Sequence, residues 1–302
     1  MDPVRAYHPG SLAVQERLGV RTLADHVGRS IGPAIKPVAA AFLEQQPMLV
    51  LGAAARDGQV WSTLLTGDPG FVRATAPDRI AIGGGGPAGT DPLAGAFDAG
   101  APVGTIALDP RTRRRMRLNG TTADGPDGLS VHAEQVFANC PKYLQKRTLH
   151  GVEPGARPGA VRRGTALTPG QERFVRAADT FFVATAAPDG VDASHRGGNP
   201  GFVRVHAPDE LSWFDYPGNS MFLTLGNVEA DGRAGLLFLD WSTGDTLQLS
   251  GTARTAFGPE GRTTYLRIQQ TVETEGASPL RWSAPDYSPA NPPLDEGARW
   301  PE

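Results

Sequence analysis

The chain of 302 residues contains an internal repeat, and this repeat restricts the folds that the chain can adopt. The tetrapeptide Gly70-Phe-Val-Arg73 recurs as Gly201-Phe-Val-Arg204, at an offset of 131 residues. Other matches at this offset pair Ala76-Pro-Asp78 with Ala207-Pro-Asp209, Leu108-Asp109 with Leu239-Asp240, and Gly120-Thr121 with Gly251-Thr252. Separated matches at one offset are typical of a duplicated structural unit. We therefore predict that residues 180–253 repeat the fold of residues 47–122.

Both copies contain short apolar runs that are separated by turn residues. Met48-Leu-Val-Leu51 has the composition of a buried strand, and Arg56-Asp-Gly58 has that of a hairpin turn. Each copy holds about six such strands over roughly 75 residues, the size of a small closed barrel. Before the first copy, Ser11, Thr22 and Pro37 are suited to begin helices. The sequence therefore predicts a mainly β fold with flanking helices, of the α+β class.

We divide the chain into four parts on this basis. They are a helical segment over residues 1–46, a first barrel over 47–122, a connector over 123–179, and a second barrel with a C-terminal tail over 180–302. Within the connector, Pro141 and Thr168 are suited to begin helices.

Composition limits the partners of this protein. The formal charge of −3 and the pI near 6.1 favour neither nucleic acid nor an anionic membrane as a partner. No apolar run is long enough to span a bilayer. The single cysteine, Cys140, provides no disulfide framework and favours a cytoplasmic location. We expect Cys140 to be packed in the interior, and the spacing of histidines, cysteines and acids predicts no metal site.

Polar and glycine residues are concentrated where one strand of the second copy ends. The stretch from Asp192 to Arg204 reads Asp-Ala-Ser-His-Arg-Gly-Gly-Asn-Pro-Gly-Phe-Val-Arg. Arginine supplies a planar fork of donors, and glycine lets an anion approach the backbone closely. An ordinary glycine turn has the same composition, but the pattern is also that of a phosphate site.

This stretch and two later ones resemble the FMN-binding split-barrel superfamily, and more narrowly its pyridoxamine 5′-phosphate oxidase-related bacterial flavoproteins. The later stretches are Asp215-Tyr-Pro-Gly-Asn-Ser-Met-Phe-Leu-Thr-Leu-Gly-Asn227 and Arg233-Ala-Gly-Leu-Leu-Phe238. Asn139-Cys-Pro-Lys-Tyr143, Arg281-Trp282 and Tyr287-Ser-Pro-Ala-Asn-Pro292 fit the same group. The resemblance covers most of the chain.

The resemblance implies FMN as the cofactor and assigns residues to its site. Arg196 occupies the position at which members of the family have an arginine that binds the FMN phosphate. Ser194, His195 and Gly197 lie beside it. Further contacts are implied for Tyr216, Asn219, Ser220 and Asn227, and Trp282 is implied as a wall for the isoalloxazine. The family often carries an additional lysine on the phosphate strand, where this chain has Gly197-Gly198-Asn199. We expect Lys142 and Arg147 to approach the cofactor from the connector, although a solvated basic helix fits them equally well.

The first copy lacks the polar residues of the second. Arg196 is equivalent to Leu64 or Leu65 at the repeat offset, and Asn227 to Ala96. Because family members bind FMN across a two-fold interface, the resemblance implies two tandem split β-barrels that form a single-chain pseudo-dimer. We expect one FMN for each chain.

Two other stretches have an anion-binding composition. The run Arg111-Thr-Arg-Arg-Arg-Met-Arg117 is interpreted as a charged hairpin tip rather than a polyanion site, and Gly83–Gly86 as a flexible loop rather than a phosphate cradle.

Three functions remain open from the sequence. The first is an FMN-dependent oxidoreductase that acts on a small organic substrate by hydride transfer, with catalytic residues unknown. The second is a non-catalytic protein that binds or senses flavin. The third is a related barrel that uses haem or a deazaflavin. In each case a homodimer of whole chains would be compatible with the internal pseudo-dimer.

Overall fold

A computed structural model describes residues 6–84, 86–125, 128–153, 157–188, 190–259 and 261–294. Gly85 of the glycine run and residues 295–302 of the tail lie outside the described residues. The helices are α1 (Pro9–Arg17), α2 (Arg21–Gly28), α3 (Pro37–Glu44), α4 (Pro169–Ala177) and α5 (Leu223–Ala230). The strands are β1 (Met48–Ala54), β2 (Val60–Thr66), β3 (Val72–Ala76), β4 (Arg79–Ile82), β5 (Pro102–Asp109), β6 (Arg114–Gly125), β7 (Gly128–Ala138), β8 (Leu149–Val152), β9 (Val161–Gly164), β10 (Thr180–Ala187), β11 (Gly190–Gly197), β12 (Val203–Ala207), β13 (Glu210–Phe214), β14 (Arg233–Leu239), β15 (Thr246–Gly258), β16 (Gly261–Thr274) and β17 (Leu280–Trp282).

Two antiparallel sheets have the same strand order. The first runs β2-β1-β5-β6-β7-β4-β3, and the second runs β11-β10-β14-β15-β16-β13-β12. Each of these seven strands therefore has its counterpart at the same place in the other sheet, and the predicted tandem split barrels are confirmed. The second sheet has an eighth strand, because β9 pairs with β16. The seven shared strands exceed the predicted six because β7 and β16 extend both copies beyond the stretches whose sequences match.

Strand pairing decides which residue of the first copy is equivalent to Arg196. In the second sheet Arg196 lies opposite Phe181, across β10 and β11. The third strands, β5 and β14, align at the 131-residue offset, and this alignment makes Leu49 of β1 equivalent to Phe181 of β10. In the first sheet Leu49 lies opposite Leu65. Of the two alternatives, Leu65 is therefore the counterpart of Arg196.

The inner strands β1 and β10 are buried on both faces. Leu49 lies in the core of the first barrel, whereas its neighbour Val50 lies in a cluster that both barrels share. Likewise, Phe181 lies in the core of the second barrel and Phe182 in the shared cluster. Because successive side chains of a strand point to opposite faces, a strand between two cores is apolar at every position. This explains the uninterrupted apolar run at Met48–Leu51.

The barrels approach so closely at two equivalent places that only glycine fits. A Cβ atom on Gly104 of β5 would lie 2.7 Å from the carbonyl carbon of Asp192, and one on Gly235 of β14 would lie 2.5 Å from the Cα atom of Trp61. Gly104 and Gly235 are related by the repeat offset, and so are Trp61 and Asp192. The same contact is thus made twice, as in an isologous two-fold interface. The interface is that of a single-chain pseudo-dimer.

The three predicted N-terminal helices are present, and α1 packs against α5 of the second barrel. The cap of α1 differs from the prediction. The side chain of His8 accepts a hydrogen bond from the Gly10 N–H at 3.2 Å, while Ser11 is buried inside the helix. Ser11 does not cap because Pro9 already begins the helix two residues earlier.

The predicted helix after Pro141 is wrong, because the residues there form turns. Tyr143 has a φ angle of 62°, which no helix accommodates, and Lys146 forms a bridge with Asp286 of the C-terminal tail. At Lys146 the connector backbone is bonded to Asp286 of the tail, and at Arg147 to Pro110, so no helical ladder continues there. The later helix is confirmed as α4, whose capping box joins Thr168 and Gln171.

None of the helices in the described part of the chain has the length and apolar character needed to span a bilayer.

Replacing Gly104 with alanine should destabilise the protein by about 2 kcal/mol or more, because overpacking against backbone atoms forces the barrels apart. Gly89 is the matched control, since a Cβ atom there meets no atom within 4 Å. Urea denaturation of both variants measures the free energy of unfolding. Equal stabilities of the two variants would contradict the close contact between the barrels.

Candidate functional site

A cavity lies between the two barrels and is lined by five separate segments. Strand β6 of the first barrel contributes Arg115 and Arg117, and the connector contributes residues from Asn139 to Tyr143. Strand β11 contributes residues 194–197 and the turn after it contributes Phe202, and residues from Phe214 at the end of β13 to Leu225 in α5 complete the lining. The cavity brings together the predicted residues Lys142, Ser194, His195, Arg196, Gly197, Tyr216, Asn219 and Ser220.

Arg196 is held in place at one side of this cavity. Its Nη1 donates to the Ser194 hydroxyl at 2.9 Å, and its Nη2 forms an ion pair with Asp215 at 3.2 Å. Asp215 also pairs with Arg262 at 3.3 Å, so its carboxylate bridges two guanidinium groups. The buried Nε of Arg196 has no partner in the protein.

Arg115 and Arg117 enter the cavity from the first barrel, and the sequence interpretation missed them. The predicted charged hairpin tip is confined to residues 110–113, because β6 already begins at Arg114. Arg115 and Arg117 alternate with Met116 and Leu118, which lie in the core of the first barrel. This period of two is the signal that would have placed both arginines on the opposite face of a strand.

These two arginines connect the barrels by polar contacts. Arg115 donates to Nδ1 of His195 at 2.7 Å and to the Cys140 carbonyl at 2.9 Å. Arg117 forms a buried ion pair with Asp192, which also accepts from the amide of Asn119 at 3.0 Å. Each arginine belongs to the first barrel and bonds to a residue of β11 in the second. The cavity therefore exists only where the two copies meet.

Positive charge exceeds negative charge around the cavity. Arg115, Arg117, Lys142 and Arg196 line it, whereas Asp215 is its only acidic residue among the described residues. Burial, together with the neighbouring guanidinium groups of Arg117 and Arg196, lowers the pKa of Arg115 to about 9. The buried Nε atoms of Arg115, Arg117 and Arg196 all lack a protein partner. Such donors suit a phosphate, which offers several acceptor oxygens and negative charge. The residues present therefore fit the phosphate of a flavin mononucleotide.

His195 is a neutral hydrogen-bond donor in this arrangement. An arginine can only donate, so the bond from Arg115 places the lone pair on Nδ1 and the proton on Nε2. Burial, and then the charges of Arg115, Arg196 and Arg147, hold the pKa of His195 well below its ordinary value of 6.5. Nε2 is buried without a partner. It can donate to an acceptor in the cavity, but the ring has no free lone pair with which to act as a general base, because Nδ1 accepts from Arg115.

Strained backbone is concentrated at the cavity. Tyr143, Ser220 and Phe222 have φ angles of 62°, 59° and 55°, in the left-handed region that side chains other than glycine rarely adopt. All three line the cavity. Helix α1 supports this loop, since Gln15 donates to the Met221 carbonyl at 2.9 Å. Such conformations persist where the surrounding structure holds them, and they are common at binding sites.

Three predicted site residues lie outside the cavity and contact other parts of the protein. The amide of Asn227 donates to the Thr185 carbonyl at 3.0 Å. Arg147 forms a buried ion pair with Asp179 at 2.7 Å. The Trp282 ring lies 5.7 Å from that of Trp241, in the cluster between the barrels.

Cys140 is exposed and lines the cavity, so the expectation that it is packed in the interior is wrong. The hydrogen bond from Arg115 to its carbonyl holds the segment at the cavity edge, where the thiol does not reach a core.

The pseudo-symmetric counterpart of the cavity is filled by the chain itself. Thr63 stands there in place of Ser194, and Gln248 of β15 stands in place of Arg117. Asp91, on the loop between β4 and β5, accepts hydrogen bonds from both side chains. On the same loop Leu93 is fully buried, packed in a cluster with Trp61. Only one of the two equivalent places in the described structure therefore remains open.

Residues 167–293 match the family model described as pyridoxamine 5′-phosphate oxidase. No curated protein matches the chain. Among solved structures, a putative pyridoxamine 5′-phosphate oxidase from Lactobacillus delbrueckii is 16% identical, with a TM-score of 0.29, and the match covers 35% of this chain and 93% of that one. The FAD binding protein from Mycobacterium smegmatis is 14% identical, with a TM-score of 0.27 and coverage of 38% and 98%. HutZ, the haem storage protein from Vibrio cholerae, is 11% identical, with a TM-score of 0.28 and coverage of 37% and 97%.

The neutral state of His195 should make stability depend on pH. In the unfolded chain His195 gains a proton near pH 6.5, whereas in the folded protein it stays neutral to a much lower pH. The unfolded state therefore binds more protons below pH 6.5, and stability falls as the pH is lowered. Between pH 7 and pH 5.5 the natural chain should lose about 1 kcal/mol more than His195→Gln. Denaturation at each pH measures this difference, and equal losses would contradict a neutral His195.

Proposed function

We propose that this chain, whose second barrel belongs to the pyridoxamine 5′-phosphate oxidase-like split-barrel superfamily, binds one FMN between its barrels and acts as an FMN-dependent oxidoreductase on a small organic substrate. The observation that carries this proposal is the set of unpartnered guanidinium N–H groups around one cavity at the barrel interface. Their positive charge comes from both barrels. A mononucleotide phosphate supplies the acceptors that they lack.

In this proposal Arg196 and Arg115 hold the phosphate from opposite barrels, and Lys142 adds a third positive charge from the connector. These groups take the place of the lysine that the family often carries on its phosphate strand, where this chain has glycine. Ser194 fixes the guanidinium of Arg196, and the absence of a side chain at Gly197 leaves room beside it. His195 donates from Nε2 to an acceptor on the cofactor.

The aromatic and amide groups of the cavity are proposed to hold the rest of the cofactor. The Tyr143 and Tyr216 rings lie 5.1 Å apart, and the Tyr143 hydroxyl fixes the loop by donating to the Pro217 carbonyl at 2.9 Å. Asn219 and Ser220 lie on that loop at the cavity. When bound, FMN would supply the hydride chemistry, and the protein would orient it and exclude water.

Three predicted site residues that lie outside the cavity are proposed to stabilise the structure around it. They are Asn227, Arg147 and Trp282. Arg147 and Trp282 both contact Trp241, which lies in the cluster between the barrels. Asn227 joins α5 to β10, and it also contacts Nε2 of His8 at 2.8 Å. Of these, Asn227 lies on α5, whose first residues line the cavity.

We further propose that the protein acts in the cytoplasm on a small molecule, with neither nucleic acid nor a membrane as a partner. The modest net charge and the single cysteine support this. The internal pseudo-dimer supplies both walls of the cavity. A homodimer of whole chains would therefore be an addition that the site does not need.

Purified protein should contain FMN at one molecule per chain, because the second equivalent place is filled by Asp91 and Leu93. Heat-released cofactor is identified by chromatography and counted against protein, and the visible spectrum distinguishes flavin from haem or deazaflavin. Turnover with a reduced nicotinamide or an organic substrate separates an enzyme from a protein that only holds flavin. Release of haem, or two flavins per chain, would contradict the proposal.

Replacing Arg196 with alanine should weaken FMN binding by about 2–4 kcal/mol, since it removes a charge-assisted contact to phosphate. The apo protein should still fold, because Asp215 keeps its pair with Arg262. The exposed Arg79 of β4 lies outside the cavity and provides the control Arg79→Ala. FMN is titrated into each apo variant, and equal losses of affinity in both would overturn the site.

A further inference from the structure

An open groove lies beside the cavity and shares two residues with it. Its walls are the start of α3, the hairpin tip with the first residues of β6, and the end of β7. Arg115 and Asn139 line both the groove and the cavity. A molecule in the groove would therefore lie next to a molecule in the cavity.

The floor of this groove is apolar. Phe42, Met116 and Val136 are buried members of the first barrel's core, and they present their outer surface to the groove. At the rim, Val38 of α3 is 64% exposed, which makes it the most exposed large apolar residue in the described part of the chain. An exposed apolar surface beside a binding cavity is typical of a ligand site.

The rim carries only positive charge. Lys36, Arg113, Arg114 and Arg115 surround the apolar floor, and no aspartate or glutamate is found among the described residues that line the groove. Neither Lys36 nor Arg114 forms an ion pair within the described part of the chain, and Arg114 lies 5.2 Å from the centre of the Phe42 ring. Arg113 pairs with the exposed Asp286 at 3.3 Å, and Arg115 is bonded to His195. The two unpaired cations are therefore available to a ligand.

We propose that the groove binds an amphipathic carboxylate, a molecule with one acidic group and a short acyl or aromatic body. The apolar floor would take the body, and the surrounding cations would take the carboxylate. The claim that this carboxylate is the organic substrate rests on the proposed flavin function. The claim that the groove binds it rests only on the charges and the apolar surface of the groove.

The test is calorimetric titration of the full-length protein with octanoate, using octylammonium as a probe of equal length and opposite charge. Val38→Asp places a negative charge at the rim, and an acidic residue near the start of a helix is tolerated. It should weaken octanoate binding about tenfold or more, and Arg114→Glu should act in the same direction. Leu23→Asp is the matched control, because Leu23 is an exposed apolar residue of α2 outside the groove. It should change the affinity less than twofold, and octylammonium should bind at least tenfold more weakly than octanoate.

Three results would overturn this inference: the absence of saturable octanoate binding, equal binding of octylammonium, or equal effects of Val38→Asp and Leu23→Asp. FMN titration of the same proteins separates the two proposals. If FMN binds but octanoate does not bind as expected, only the groove proposal is refuted. If octanoate binds as expected but FMN does not bind, the groove remains a carboxylate site and the flavin function is refuted.

Discussion

The close contact between the barrels is the constraint on which the rest of the structure depends. Gly104 and Gly235 let strand backbones of the two copies approach at equivalent places, and Gly52 of β1 lies against Ala184 of β10. This contact fixes β11 relative to β6, and hence Arg196 relative to Arg115. A cavity lined with cations from both copies follows from that placement.

The symmetry of the backbone is broken by its side chains. The two sheets share one strand order, but Arg196 faces the open cavity while its counterpart Leu65 packs in a barrel core. On the filled side, Asp91 satisfies the buried polar groups of Thr63 and Gln248, which would otherwise be costly to bury. The duplicated fold thus leaves one of two equivalent places open and fills the other with its own side chains.

The sequence predicted the architecture better than the site. Repeated motifs and apolar runs predict the strands, and Thr168 with Gln171 predicts α4, because these signals are local in the chain. Arg115 and Arg117 were missed because their place at the cavity depends on contacts with His195 and Asp192, about eighty residues away in the chain. The helix after Pro141 was wrongly predicted for a similar reason, since the backbone N–H groups of Lys146 and Arg147 donate to Asp286 and Pro110, which are distant in the chain.

The covalent link between the barrels has a consequence for how the cavity responds to dilution. In a dimer of separate chains, an interfacial site is lost when the protein concentration falls below the dissociation constant of the dimer. Here the connector keeps the two halves at a high effective concentration whatever the amount of protein present. Arg115 and Arg196 therefore face the same cavity even in a single isolated molecule.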